Sequence, residues 1–250
     1  MKCSKPVCRS FFVMLALCAT QIVATAEAAG PTVWELKGRG GSVLLLGSIH
    51  LMRQSDYPLP PVVGKAYDQV DHLLMELDID SLDPIMAQGL IVSMGRLEEG
   101  KTLRDVMGRS DYRLASDKIS DLGMDLEMLN TLKPWFVSIT VMNLQMMRVG
   151  FQPQFGLEQY LSGLARQDGK SIDGLETMEF QLGLFDGLSE KTQSRLLLQT
   201  LDEAADMEQQ LDVMTAAWRS GDLDVMAAEL ARSFKEYPDV YESLVVNRNR

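Results

Sequence analysis

"SVLLLGSIHLM", residues 42–52, is an apolar run that stops at Gly47 and then presents His50, one of only two histidines in the chain. The run is short, rich in β-branched and leucine side chains, and bounded by glycine, which predicts a strand. Gly47 lets the backbone leave that strand by a route closed to residues with a Cβ. His50 therefore falls just past the strand's carboxyl end.

Working outward, "TVWELKG" before it reads as a partner strand, joined by a turn built on Gly38, Gly40 and Gly41. "DYPLPP" forces an extended connection, and its last proline opens a helix, "PVVGKAYDQV". "HLLMELD" is a third strand, apolar on both faces except at Glu76, as suits a buried parallel sheet. Strand, helix, strand over residues 43–78 predicts a right-handed crossover unit. Ligands gather at the carboxyl ends of strands in open α/β sheets. The unit would thus bring the His50 imidazole and the Glu76 carboxylate to one edge, where they can ligate a divalent metal or work as base and electrophile on a bound water. The plainer reading of His50 is a hydrogen-bonded loop residue. Glu76 resists a plain reading, because a carboxylate inside an apolar strand is costly without a partner. His72 opens its strand beside Asp71 and reads as structural.

Residues 81–148 are helical in pattern, interrupted by Gly95, Gly100, Gly123 and Pro134, and "KPWFVSITVMNLQMMRVG" reads as a mostly buried helix. "GLEQYLSGLARQDGKSIDGLE" gives helix, turn and short strand. Residues 189–218 predict one long helix with Leu197, Leu201, Ala204, Leu211, Met214 and Trp218 along its apolar stripe. "SGD" at 220–222 ends it, and two further helices follow. The 16 methionines are spread over the apolar positions and read as core filling. The fold class is α/β and α-rich, with a small, mostly parallel or mixed sheet, a helical insertion and long C-terminal helices.

Composition bounds the function. Hydrophobic residues make up 46% and charged residues 24%, and the net charge is −11. No basic patch is visible, which argues against nucleic acid. Lys2, Lys5 and Arg9, then "FFVMLALCATQIVATA", then the small residues of "ATAEAA" form a signal peptide over residues 1–28, so a periplasmic or secreted protein of bacterial type is expected. Two readings compete with it. A membrane anchor is disfavoured by a short core softened by Thr20, Gln21 and Thr25. A lipoprotein site at Cys18 is disfavoured by the bulky Leu17 before it. All three cysteines, Cys3, Cys8 and Cys18, lie in this segment, so residues 29–250 contain no thiol, as an oxidising compartment favours. Cleavage leaves 21 basic against 34 acidic residues, a balance of −13. No transmembrane segment is expected after residue 30. Residues 29–250 read as one domain.

The block "VWELKGRGGSVLLLGSIHLMRQSDYPLPP" resembles the opening of the TraB/GumN family, related to the Tiki proteins. "LLMELD", "QPQFGLEQYL", "GKSIDGLETMEFQLGLFDGLS", "WRSGDLD" and "LVVNRNR" resemble further family blocks in the same order. The resemblance implies a fold like those of erythromycin esterase and ChaN. It also implies a metal-dependent hydrolase of the peptidase kind, using manganese or cobalt, with zinc as an alternative. It carries the first Gly-x-x-His motif onto Gly47–His50, with His50 as metal ligand, and the catalytic glutamate onto Glu76, as ligand or base. Glu176, Gln181, Arg248 and Asn249 take supporting places. Glu176 also suits a plain role at a helix N-terminus, and Arg248 that of a surface charge. The family's second Gly-x-x-His motif lies beyond the "RN" block, so a C-terminally truncated domain or a half-site is expected at Arg250. The rival expectation is a non-catalytic periplasmic binding or accessory protein with a degenerate half-site. A peptide or small-molecule substrate is implied without being named, and the oligomeric state is open, although a bare sheet edge invites pairing.

Overall fold

The computed structural model describes residues 30–39, 41–235 and 238–246. The expected signal segment, its three cysteines, Arg248 and Asn249 lie outside these residues.

Strands β1 (Val33–Gly38) and β2 (Gly41–Leu46) form an antiparallel hairpin, as the glycine turn dictates. Helix α1 (Pro61–Asp68) begins at its proline and packs Val63, Ala66 and Tyr67 inward. Strand β3 (His72–Met75) follows, alternating exposed and buried side chains. It pairs in parallel with β4 (Ser171–Gly174), with His72 opposite Ser171 and Met75 opposite Gly174. Between them lie α2 (Pro84–Gly95), α3 (Leu103–Asp121), α4 (Pro134–Arg148) and α5 (Leu157–Asp168). After β4 come α6 (Met178–Asp186), α7 (Glu190–Glu203), α8 (Met207–Ser220), α9 (Leu223–Phe234) and the short α10 (Pro238–Tyr241). The chain is thus an α-rich α/β protein, and its described residues form two two-stranded sheets, one antiparallel and one parallel.

Side-chain caps place several helix starts. Asp83, Thr102, Thr177, Ser189 and Asp222 each accept a backbone N–H of the first turn. The largest apolar cluster joins α3, α4 and α7 through Leu103, Met107, Ile119, Val137, Val141, Leu197 and Leu201. A second gathers Met52, Val63, Leu157 and Trp218 under the stretch that carries His50, and a third sits between α1, β3 and α5.

Three expectations are corrected. The crossover over residues 43–78 does not form, because β2 pairs with β1 and the parallel partner of β3 is β4. Nor is β2 buried, since Val43 is 52% and Leu45 47% exposed. An apolar run specifies a strand but not its neighbour, and the tight turn at Gly38–Gly41 pairs β2 with β1. The long helix over 189–218 is also two helices, broken between Glu203 and Met207. No glycine or proline stands at the break. Its cause is tertiary: α7 lies against α3 and α4, whereas α8 lies mainly against α9.

Candidate functional site

Beyond β2 the backbone runs along the entry to α5 and is fixed there by main-chain contacts. Trp218 Nε1, on an indole only 2% exposed, donates to the Gly47 carbonyl at 2.8 Å. The Leu157 N–H donates to the Ile49 carbonyl at 2.9 Å, and the Gln152 N–H to the Met52 carbonyl at 2.9 Å. Gly156 makes this approach possible. A Cβ there would collide with the His50 carbonyl oxygen and stand 2.7 Å from the carbonyl carbon.

The result is a contact between His50 Nδ1 and Glu158 Oε1 at 2.7 Å. Glu158 sits in the first turn of α5, where the helix dipole favours a carboxylate. Its side chain is 12% exposed and that of His50 63%. Burial pushes the Glu158 carboxyl up, but hydrogen bonds from His50 and Ser48, the His50 charge and its own backbone N–H hold it below the ordinary glutamate value. The Glu158 carboxylate faces the Nδ1 edge of the ring, which leaves Nε2 on the side away from it.

A second group forms at the carboxyl ends of β3 and β4. The parallel ladder runs on past the strands, with the Glu176 N–H donating to the Glu76 carbonyl at 2.9 Å. Both glutamates therefore leave the sheet side by side. Gln181, on the first turns of α6, bridges them: its Nε2 lies 3.1 Å from Glu76 Oε2 and 2.9 Å from Glu176 Oε2. One amide nitrogen donating an N–H to each of two carboxylates orients both and offsets part of their repulsion.

Residues 32–250 match the sequence profile of the TraB/PrgY/gumN family. The chain belongs to that family. It is also similar to the uncharacterized protein YbaP of Escherichia coli (strain K12), at 22% identity over 205 residues, covering 82% of this chain and 74% of YbaP. The YbaP of Shigella flexneri matches to the same extent. No solved structure matches.

Of the site residues expected from sequence in this TraB/PrgY/gumN chain, Glu76, Glu176 and Gln181 stand together. Gly47 and His50 stand with Ser48 and Glu158, on the stretch that leaves the other sheet. His72 is a cross-strand link at the opposite end of β3, with Nδ1 2.6 Å from Ser171 Oγ and Nε2 3.3 Å from Asp173 Oδ2. Sequence reading passed over Glu158. The signal that could have found it was a carboxylate two residues after a Pro/Gly-bounded turn, inside the family block "QPQFGLEQYL". No group of three or more His, Cys, Asp or Glu side chains able to hold one ion forms among the described residues. They supply a histidine with an outer carboxylate and a pair of acids, short of the three protein ligands usual in catalytic zinc sites.

Proposed function

We propose that this chain is a divalent-metal-dependent hydrolase of the peptidase kind, with His50 as a metal ligand and Glu76 as ligand or general base. The observation that supports it is the contact between His50 and the buried, ionised Glu158. That arrangement is the one metal-binding imidazoles use to fix tautomer and ring orientation. Manganese or cobalt is the expected ion, with zinc as the alternative. When bound, it would lower the pKa of a coordinated water and polarise a carbonyl. The described residues do not complete a ligand set. Their own work is to hold the Nδ1 edge of His50 through Glu158 and to keep the Glu76 and Glu176 carboxylates oriented through Gln181. Export to the periplasm or outside the cell belongs to the same reading, supported by the basic, apolar and small-residue order of residues 2–28.

Calorimetric titration of the full chain with Mn2+, followed by a peptide-hydrolysis assay with the loaded protein, tests the proposal. A stoichiometric site lost in His50→Ala, together with hydrolysis lost in His50→Ala and Glu76→Gln, is the expected result. Absence of both binding and hydrolysis would leave the binding or accessory role. Hydrolysis that survives His50→Ala would refute the assignment of the site.

A further inference from the structure

The block "WRSGDLD", residues 218–224, spans the last turn of α8 and the start of α9. It is far from His50 in sequence, yet two of its side chains end on the stretch that carries His50. Trp218 Nε1 donates to the Gly47 carbonyl at 2.8 Å, just before the histidine. The Arg219 guanidinium reaches the far end of the stretch, with Nη1 2.5 Å from the Asp56 carbonyl oxygen and Nη2 3.4 Å from that of Pro58. Further back on α8, Asp212 pairs with Arg53, whose Nε donates to the Val149 carbonyl at 2.9 Å.

Between β2 and α1 the chain has only a bridge at Met52 and a short helical turn at Gln54–Asp56, so several of its carbonyls take their partners from elsewhere. Two elements divide them. The Ile49 and Met52 carbonyls accept from the approach to α5, whereas those of Gly47, Asp56 and Pro58 accept from α8, on both flanks of His50. A segment held at one end can pivot; one held at both ends and pressed against α5 between them keeps its place. Neither grip is loose. The Trp218 indole is buried in the cluster of Met52, Val63 and Leu157, and the planar fork of Arg219 fixes direction as well as distance.

We infer that Trp218 and Arg219 are positioning residues for His50: the last turn of α8 clamps both ends of the 47–58 stretch and so sets the imidazole against Glu158. Its meaning for function rests on the site proposed for His50, whereas its geometry needs no ion.

Proton–nitrogen correlation spectra of the full chain test it, because the two histidines give separate imidazole signals and His72, in β3, serves as the internal reference. Trp218→Phe keeps a ring in the apolar cluster and removes the N–H donor. Arg219→Gln changes a half-buried position and involves no ring, so a signal shift there owes nothing to altered ring currents. Both variants are expected to move the His50 signals and leave those of His72 in place. Both are also expected to speed exchange of the Leu157 amide, which donates to Ile49, by about tenfold. Arg219→Lys, still able to donate to the carbonyls, recovers most of the wild-type His50 signal. In a wild type that takes up Mn2+ at His50, the first two variants weaken its binding about tenfold. A wild type that takes up none removes the metal reading alone, and the imidazole and amide signals still judge the clamp. His50 signals unmoved in Arg219→Gln overturn the inference, as do His72 signals that move as far as those of His50 in either variant.

Discussion

Two glycines of α5 and its entry are expected to respond to the same substitution with opposite signs. Gly156 adopts φ −61° and ψ 151°, open to any residue, so its constraint is steric. A methyl group there strikes the His50 carbonyl, and the carbonyl carbon at 2.7 Å must retreat by about 1 Å to reach ordinary contact. The stretch that has to move is tied down by the Leu157–Ile49 and Trp218–Gly47 hydrogen bonds, 2.9 and 2.8 Å long. Overpacking costs about 1–3 kcal/mol and losing one of those bonds about 1 kcal/mol more. Gly156→Ala should therefore destabilise by about 2–4 kcal/mol and pull His50 away from Glu158. Gly163 lies further along the helix, and a methyl group added there would meet nothing within 4 Å. Gly163→Ala should stabilise by about 0.5–1 kcal/mol through helix propensity alone. Urea denaturation measures both, and the His50 imidazole resonances report the displacement. A Gly156→Ala protein within about 0.5 kcal/mol of wild type, with those resonances unmoved, would refute the account of how α5 positions His50.

Acidification should expose the Glu158 contact. Its carboxyl titrates below the ordinary value in the fold, so it contributes stability above the unfolded pKa of about 4.3 and loses it as pH falls through the folded value. The stability difference between wild type and Glu158→Gln should shrink from about pH 6 to about pH 3; a pH-independent difference in urea titrations would contradict the sign. Leu197, fully buried where α3, α4 and α7 meet, should lose about 2–5 kcal/mol on truncation to alanine, or about 4–20 °C in Tm by calorimetry.

Local chemistry made much of the molecule legible. Pro61 and Pro134 open helices where the pattern placed them, and Gly169 and Gly221, both at positive φ, close α5 and α8. Glu76 does emerge at the carboxyl end of a parallel strand beside Glu176 and Gln181. The helix ends depend on a residue's own dihedrals, its cap and its neighbours within a turn, all of which are written in adjacent letters, whereas the meeting of Glu76 with Glu176 and Gln181 needs the β3–β4 pairing.

Tertiary structure decided the rest. "SVLLL" reads as a strand whether or not anything covers it, and only the fold left its apolar face in solvent. The stripe over 189–218 is continuous in sequence, yet the chain bends at Ala204–Asp206 because α7 and α8 pack on different helices. Glu158 looked like any first-turn carboxylate until Gly156 let α5 close on the His50 backbone. Strand and helix follow from short-range preferences; which strand pairs with which, and which carboxylate meets the histidine, follow from burial shared among residues far apart in the chain.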